Sequence, residues 1–453
     1  MDSKILLLLL VLIVARENSC CGQNITEKVF DVTSYGASPE GKNDSVPAFL
    51  KAWSEACSTD CGLLGRAKVL IPEGTFLIGP VSFQGLCKSA MVVEVNGVIL
   101  APTDLQVFHK EWIAFRHVNG LLITGSGKIN GQGATAWQKK KKGSRLPPHI
   151  TTGKHAITVG FSGGNFCAGM NGAGNGRIYL NLATEKLRRI CWRKIRRKSS
   201  CSLKLLSVSN ALLQSISFID SKFFHILIGQ SARVTIKNIN ITAPGNSPNT
   251  DGIHIGDSSD IKIIDSTIGC GDDCISIGPG STNVTVSNVF CGPGHGISVG
   301  SLGKYNYDLG VDGAYVTNCT LSGTTNGVRI KTWKDSPAIN ATNLHFYDIV
   351  MKDVRNPIII DQEYCPGSCD DDKPPSRVKI SNTTFEQIRG TSATDVAIDL
   401  LCSSAFPCDI KLKNIDLRPL PPSPGLLPTV LLSTCIHVGN AEAQGFIFPP
   451  SCF

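Results

Sequence analysis

The chain is 453 residues long, with 42% hydrophobic and 18% charged residues. That balance is too apolar and too weakly charged for a disordered polymer, and the length suits one large domain or two to three ordinary ones. The formal charge of +8 has a local origin: between Lys139 and Lys204, 16 Lys+Arg meet a single acid, Glu185, so this stretch carries +15 and the rest is near −7. A generally basic surface is excluded, and no nucleic-acid partner is expected.

In chain order, Lys4 precedes a short apolar run from Ile5 to Ala15. The run is too short to span a bilayer and fits the apolar region of a signal peptide, with cleavage near Ser19 to Gly22. Residues 1–21 are therefore expected to be a leader and 22–453 the mature, soluble, secreted protein, with no stable membrane association. Secretion permits disulfides among the 18 Cys, and the spacings Cys57/Cys61, Cys365/Cys369 and Cys402/Cys408 suggest local staples. Sequons at Asn24, Asn43, Asn240, Asn283, Asn318, Asn340 and Asn382 agree with secretion.

The stretch Ala48 to Cys57 is amphipathic through Phe49, Leu50, Trp53 and Cys57, and is predicted to be a capping helix. The block from about 150 to 201 breaks the pattern of its surroundings. It joins a Gly-rich run, Gly160 to Gly176, to Arg188-Arg189, Arg193-Lys194 and Arg196-Arg197-Lys198. It reads as a basic helix for an acidic partner, as a solvated insertion, or as translated sequence not selected to fold here. From about Val234 onward, β-branched runs alternate with Gly, Asn, Asp and Ser. Val234 to Ile241, Ile261 to Ile268, Val284 to Val289 and Val378 to Ile380 are predicted strands. The segment Pro419 to Pro428 is Pro-rich and reads as a tail or cap.

A repeat organises these strands. Gly252-Ile253-His254-Ile255, Cys274-Ile275-Ser276-Ile277, Gly296-Ile297-Ser298-Val299, Gly327-Val328-Arg329-Ile330 and Pro357-Ile358-Ile359-Ile360 share one pattern. From Ile253 through Ile275, Ile297 and Val328 to Ile358, the numbering steps by 22, 22, 31 and 30. Such periods indicate a solenoid, and units of strands without helices favour an all-β fold, a parallel β-helix with an N-terminal helix closing its end. A β-sandwich fits the repeated step of 22 less well.

The same spacing carries chemistry. Asp251, Asp273 and His295 follow one another at that step, with Asp272 adjacent, so three carboxylates and a histidine converge on successive coils. Crowded carboxylates cannot all ionise easily, and one should keep its proton at a raised pKa. A protonated carboxyl beside an ionised one suits glycosidic hydrolysis. Ca²⁺ ligation and turn capping are the other two readings of clustered Asp. Arg329 and Lys331, two apart on one strand, point to one face and would hold an anionic substrate or neutralise the acids; the roles can coexist.

Asn249-Thr250-Asp251-Gly252, Gly271-Asp272-Asp273, Gly294-His295-Gly296 and Arg329-Ile330-Lys331 resemble, in order, the four signatures of the polygalacturonases of glycoside hydrolase family 28. The plant members are the most similar, and Phe30 to Ala37 and Gly127 to Gly133 fit as well. The resemblance covers about Val29 to Ile150 and Leu203 to the C-terminus. It implies a single-stranded, right-handed parallel β-helix of the pectin lyase-like kind, hydrolysing α-1,4 links between galacturonic acid units of de-esterified pectin with inversion. It makes Asp272 the general acid, gives Asp251 and Asp273 water activation, and has His295 support the acid. It also makes Asn249, Arg329, Lys331 and Tyr364 substrate-binding and suggests a Cys274 to Cys291 bridge.

A cell-wall location, a monomer, a pectic polysaccharide partner and no cofactor or metal follow as expectations. Action on rhamnogalacturonan or another modified pectin, or an inactive wall-binding relative, are the alternatives. The family usually passes from the Gly-Gln-Gly segment to the strand at Ser202 to Leu205 through a short loop, so the 150–201 block is atypical and has the character of a retained intron.

Overall fold

The computed structural model describes residues 27–62, 64–108, 111–143, 200–366, 372–421 and 430–453. The expected leader, Asn24, Cys369, almost all of the basic block and most of the Pro-rich segment lie outside them.

The described strands wind into a parallel β-helix. An 11-stranded sheet runs from Val81–Gln84 to Leu432–Ile436, and a 19-stranded sheet forms the remaining faces. The five triplets stack as the repeat predicts: Ile253 pairs with Ile275, Ile275 with Ile297, Ile297 with Val328 and Val328 with Ile358, all in parallel. Alternation along each strand sends these apolar residues inward, where every one of them is fully buried.

The corners repeat as well. Asn238, Asp265, Asn288, Asn318, Asp348, Gln387 and Asn414 follow one another on successive coils, all with φ between 50° and 54°. Short polar side chains tolerate this left-handed conformation. Asn288 donates to Asp265 at 2.8 Å along the column.

Helix Val46–Ser58 occupies the place predicted for a cap. Pro47 stands in its first turn, and its buried face is Ala48, Phe49, Ala52, Trp53 and Ala56. Trp53 packs on Phe83 and Phe115, closing the N-terminal end of the core. The ladder continues across the atypical block. Leu203–Leu206 pairs with Ile113–Arg116 before it and with Ile226–Gly229 after it. The described coils on either side of the block are therefore direct neighbours.

Two of the expected disulfides are present, Cys274–Cys291 and Cys402–Cys408, and two more are Cys57–Cys87 and Cys435–Cys452. The Cys365/Cys369 staple falls partly outside the described residues. The Cys57/Cys61 staple is incorrect. Cys57 ends the capping helix facing the coil that carries Cys87, while Cys61 is a free thiol. Spacing along the chain could not reveal that cross-coil approach.

Candidate active site

The residues of the acid cluster lie two positions before the inward Ile of three successive rungs, so the register that stacks Ile253, Ile275 and Ile297 also stacks Asp251, Asp273 and His295. Backbone bonds fix the alignment: Gly252 N–H donates to the Asp273 carbonyl at 2.9 Å and His295 N–H to the Asp272 carbonyl at 2.7 Å. Two motif glycines are steric requirements. A Cβ on Gly271 would stand 1.9 Å from the Ser247 carbonyl oxygen. Gly296, at φ 86°, would place one 2.2 Å from the Asn326 carbonyl oxygen.

Asp273 is the buried centre, 1% exposed. Its Oδ1 accepts from Arg329 at 2.6 Å and Ser298 at 2.8 Å, and its Oδ2 from Lys331 at 2.6 Å. Burial alone would raise its pKa, but the charges of Lys331 and Arg329 reverse that and bring it to about 2. Asp251 is 6% exposed and accepts from Ser276 Oγ at 3.0 Å. Burial, then repulsion from Asp272 and Asp273, pushes it well above the usual carboxylate range. Of the three acids, Asp251 is the one whose surroundings favour the protonated form, the direction expected of a crowded carboxyl.

Asp272 is the more open acid, its side chain 20% exposed. Its Oδ1 lies 3.0 Å from His295 Nδ1 and accepts from its neighbour's backbone N–H, and its Oδ2 accepts from Asn249 at 3.2 Å. Tyr364 reaches the same face, with Lys331 Nζ 5.2 Å and the Arg329 guanidinium 6.0 Å from its ring centroid. All eight candidate residues of the sequence thus belong to one patch.

Three further neighbours lie outside the motif roles. The middle residues of the triplets, His254, Ser276, Ser298 and Arg329, pair in register on the outer face. His254 Nδ1 meets Ser276 Oγ at 2.7 Å, Ser276 holds Asp251, and Ser298 links Asp273 to Arg329 Nε at 3.0 Å. A signal for them exists in the sequence: these side chains fill the triplet position that Arg329 occupies.

Asp272, Asp273 and His295 bring ligand atoms within 4.8 Å of one another, a spacing a cation could use. Asp273, however, already accepts two cationic donors at contact distance, which opposes a divalent ion. The turn-capping reading holds only for the local Asp272 to Asp273 N–H bond.

The model of "Glycosyl hydrolases family 28" matches residues 61–163 and 147–423. A polygalacturonase of Medicago sativa is 39% identical over 394 residues, spanning 86% of this chain and 82% of its own length. An exopolygalacturonase of Platanus acerifolia is 40% identical, spanning 87% and 92%. Among solved structures, an exopolygalacturonase of Thermotoga maritima superposes with TM-score 0.64 at 18% identity, over 87% of this chain and 88% of that one. An endo-xylogalacturonan hydrolase of Aspergillus tubingensis gives 0.66 at 22%, over 91% and 100%. These likenesses carry the right-handed β-helix fold. With the family model spanning most of the solenoid and the two plant relatives matched along most of their own length, the chain belongs to glycosyl hydrolase family 28.

Proposed function

We propose that this chain is a secreted, monomeric hydrolase of the cell wall that cuts α-1,4 links between galacturonic acid units of de-esterified pectin, with inversion and without a cofactor. The observation that carries this reading is a partly exposed carboxyl, Asp272, held by His295 and Asn249, beside a buried carboxylate, Asp273, gripped by Arg329 and Lys331. The names of the relatives, polygalacturonase and exopolygalacturonase, support the same substrate class.

Asp272, the more open of the acids, is the group able to protonate a leaving glycosidic oxygen. Asp251, which burial and repulsion from its neighbours make a stronger base than an ordinary carboxylate, is the group able to activate the attacking water. Asp273, to which the resemblance also gives water activation, is the weaker base of the two, because Arg329 and Lys331 hold its carboxylate well below the usual range, and it fixes the field of the site. Arg329, Lys331 and Tyr364 face the substrate, where a uronate carboxylate can share the cations. No described helix is long and apolar enough to cross a membrane.

Incubation with polygalacturonate in EDTA should release new reducing ends without unsaturated products, and the product first formed should carry the inverted anomeric configuration by proton NMR. Asp272→Asn should abolish the release. Unsaturated, Ca²⁺-dependent products would overturn hydrolysis, and binding without turnover would favour an inactive relative. Preferential cleavage of a modified pectin would shift the substrate to rhamnogalacturonan or a similar polymer.

A further inference from the structure

Two coils hold Asp251 from opposite sides. From the following coil, Ser276 Oγ donates to its carboxylate at 3.0 Å. From the preceding coil, His225 reaches its backbone carbonyl twice, through the N–H at 2.8 Å and the ring Nδ1 at 3.0 Å. The first of these bonds belongs to the rung-to-rung ladder, which continues with Ile226 N–H on the Gly252 carbonyl at 3.0 Å. The ring bond lies outside that ladder. A carbonyl with both lone pairs occupied has little freedom to rotate, so the two donors set the plane of the peptide group next to the Asp251 side chain.

The surroundings decide which ring nitrogen carries the proton. His225 is fully buried, and burial lowers its pKa to about 4, so near neutral pH the ring is uncharged and holds one proton. The Ser221 backbone N–H points at Nε2 from 3.3 Å. A backbone amide N–H can only donate, so Nε2 accepts and the proton sits on Nδ1, facing the Asp251 carbonyl. The imidazole thereby joins a backbone donor on one segment to a backbone acceptor on another.

The segment that supplies this N–H rests on Gly127 to Gly133, a stretch that contributes no group to the acid patch. Gly131 N–H donates to the Ile219 carbonyl and Gly133 N–H to the Asp220 carbonyl, each at 2.8 Å. A Cβ on Gly133 would stand 2.5 Å from the Ser221 carbonyl oxygen, and one on Gly131 2.6 Å from that of Asp220. Trp137 Nε1 donates to the same Ser221 carbonyl at 3.0 Å, and Ser221 Oγ closes the turn on the Phe224 carbonyl at 2.7 Å. The glycine-rich stretch therefore packs against the turn that aims Ser221 at the ring.

Resting on the proposed function, in which Asp251 activates water, we infer that His225 is a positioning residue for the reaction: its Nδ1–H clamps the Asp251 carbonyl and so aims the carboxylate. His225 has no exposed surface, so it acts on the substrate only through Asp251. A reacting group displaced by about 1 Å loses on the order of 10²-fold in rate, so a carbonyl released from the ring is felt in kcat.

Asparagine and glutamine separate the two ring bonds. In His225→Asn the amide nitrogen replaces Nδ1 and keeps the bond to Asp251; in His225→Gln the amide oxygen replaces Nε2 and keeps only the bond to Ser221. On polygalacturonate, kcat should stay within about threefold of the unaltered protein in His225→Asn and fall about 30-fold in His225→Gln, with KM little changed in both. Nitrogen-15 NMR of the unaltered full chain should show His225 as a neutral ring protonated at Nδ1. Full kcat in the glutamine variant, or equal losses in the two variants, would overturn the inference, because the bond to Asp251 would then not be what sets the rate. A ring protonated at Nε2 would overturn it without any variant, and this measurement decides if either substitution prevents folding. All of these outcomes leave the proposed function intact. Absence of new reducing ends from the unaltered protein would instead remove that function, and the role of His225 with it.

Discussion

Arg329 and Asp273 are 56 residues apart in the chain and 2.6 Å apart in the fold. With Lys331 on the other carboxylate oxygen, Asp273 is held as a charged but neutralised group in the interior of the patch. Breaking such a buried arrangement by removing one partner typically costs about 3–5 kcal/mol, because the remaining charges are stranded. Asp273→Asn should therefore lower both thermal stability and activity, since Arg329 and Lys331 lose their shared counter-charge. A calorimetric melting curve alongside a rate assay checks both.

Asp251 should show the opposite balance. Its pKa is raised in the folded state, so the folded chain holds that proton more tightly than the unfolded chain does. The contribution is fully present below the unfolded value of about 3.9 and is lost as pH rises through the folded value. Asp251→Asn removes this loss. At neutral pH the variant should be more stable than the parent and catalytically dead, and the gain in stability should grow between denaturant melts at pH 4 and at pH 7.

The acid limb of the rate profile should belong to Asp251, which must ionise to activate water. Because its pKa is raised in the folded site, kcat/KM should fall in acid already above the ordinary carboxylate range. Repulsion from Asp272 is one cause of the raised Asp251 value. Asp272→Asn should therefore lower the Asp251 pKa, observable by carbon NMR titration. An unchanged value would show that burial alone sets it.

Ser276 is a positioning residue acting through Asp251. Its hydroxyl donates to the Asp251 carboxylate at 3.0 Å and meets His254 Nδ1 at 2.7 Å. Ser276→Ala should reduce kcat about tenfold, the worth of one hydrogen bond to a charged group, and should shift the profile upward in pH because the ionised carboxylate loses a donor. KM should change less than kcat. A purely structural role would lower the amount of folded enzyme without moving the pH profile.

The Cys274–Cys291 bridge joins the residue after Asp273 to the coil that presents His295. Replacing both cysteines by Ala should cost about 2–4 kcal/mol. Activity should fall at temperatures below the global melting point, because the turn bearing Asp272 loosens before the solenoid does. Comparing inactivation with loss of far-ultraviolet circular dichroism would separate the two events.

Much of this site is legible in one dimension because a solenoid converts sequence period into spatial stacking. The repeated interval is one coil, so Asp251, Asp273 and His295 had to meet, and the strand alternation put Arg329 and Lys331 on one face. The inward Ile column follows from the same interval. What the interval does not encode is which polar groups close on each other, and those contacts depend on how neighbouring rungs and loops pack. Cys57 found Cys87 rather than Cys61 across such a gap, the serines at the triplet centres became the donors that hold two acids, and Phe223 and Phe224 came to stack beside His254. The order of residues along the chain was thus enough for the coil, its register and the identity of the acids. The raised pKa of Asp251 and the double ion pair of Asp273 arise only in three dimensions, because desolvation and charge proximity exist only once separate coils are packed side by side.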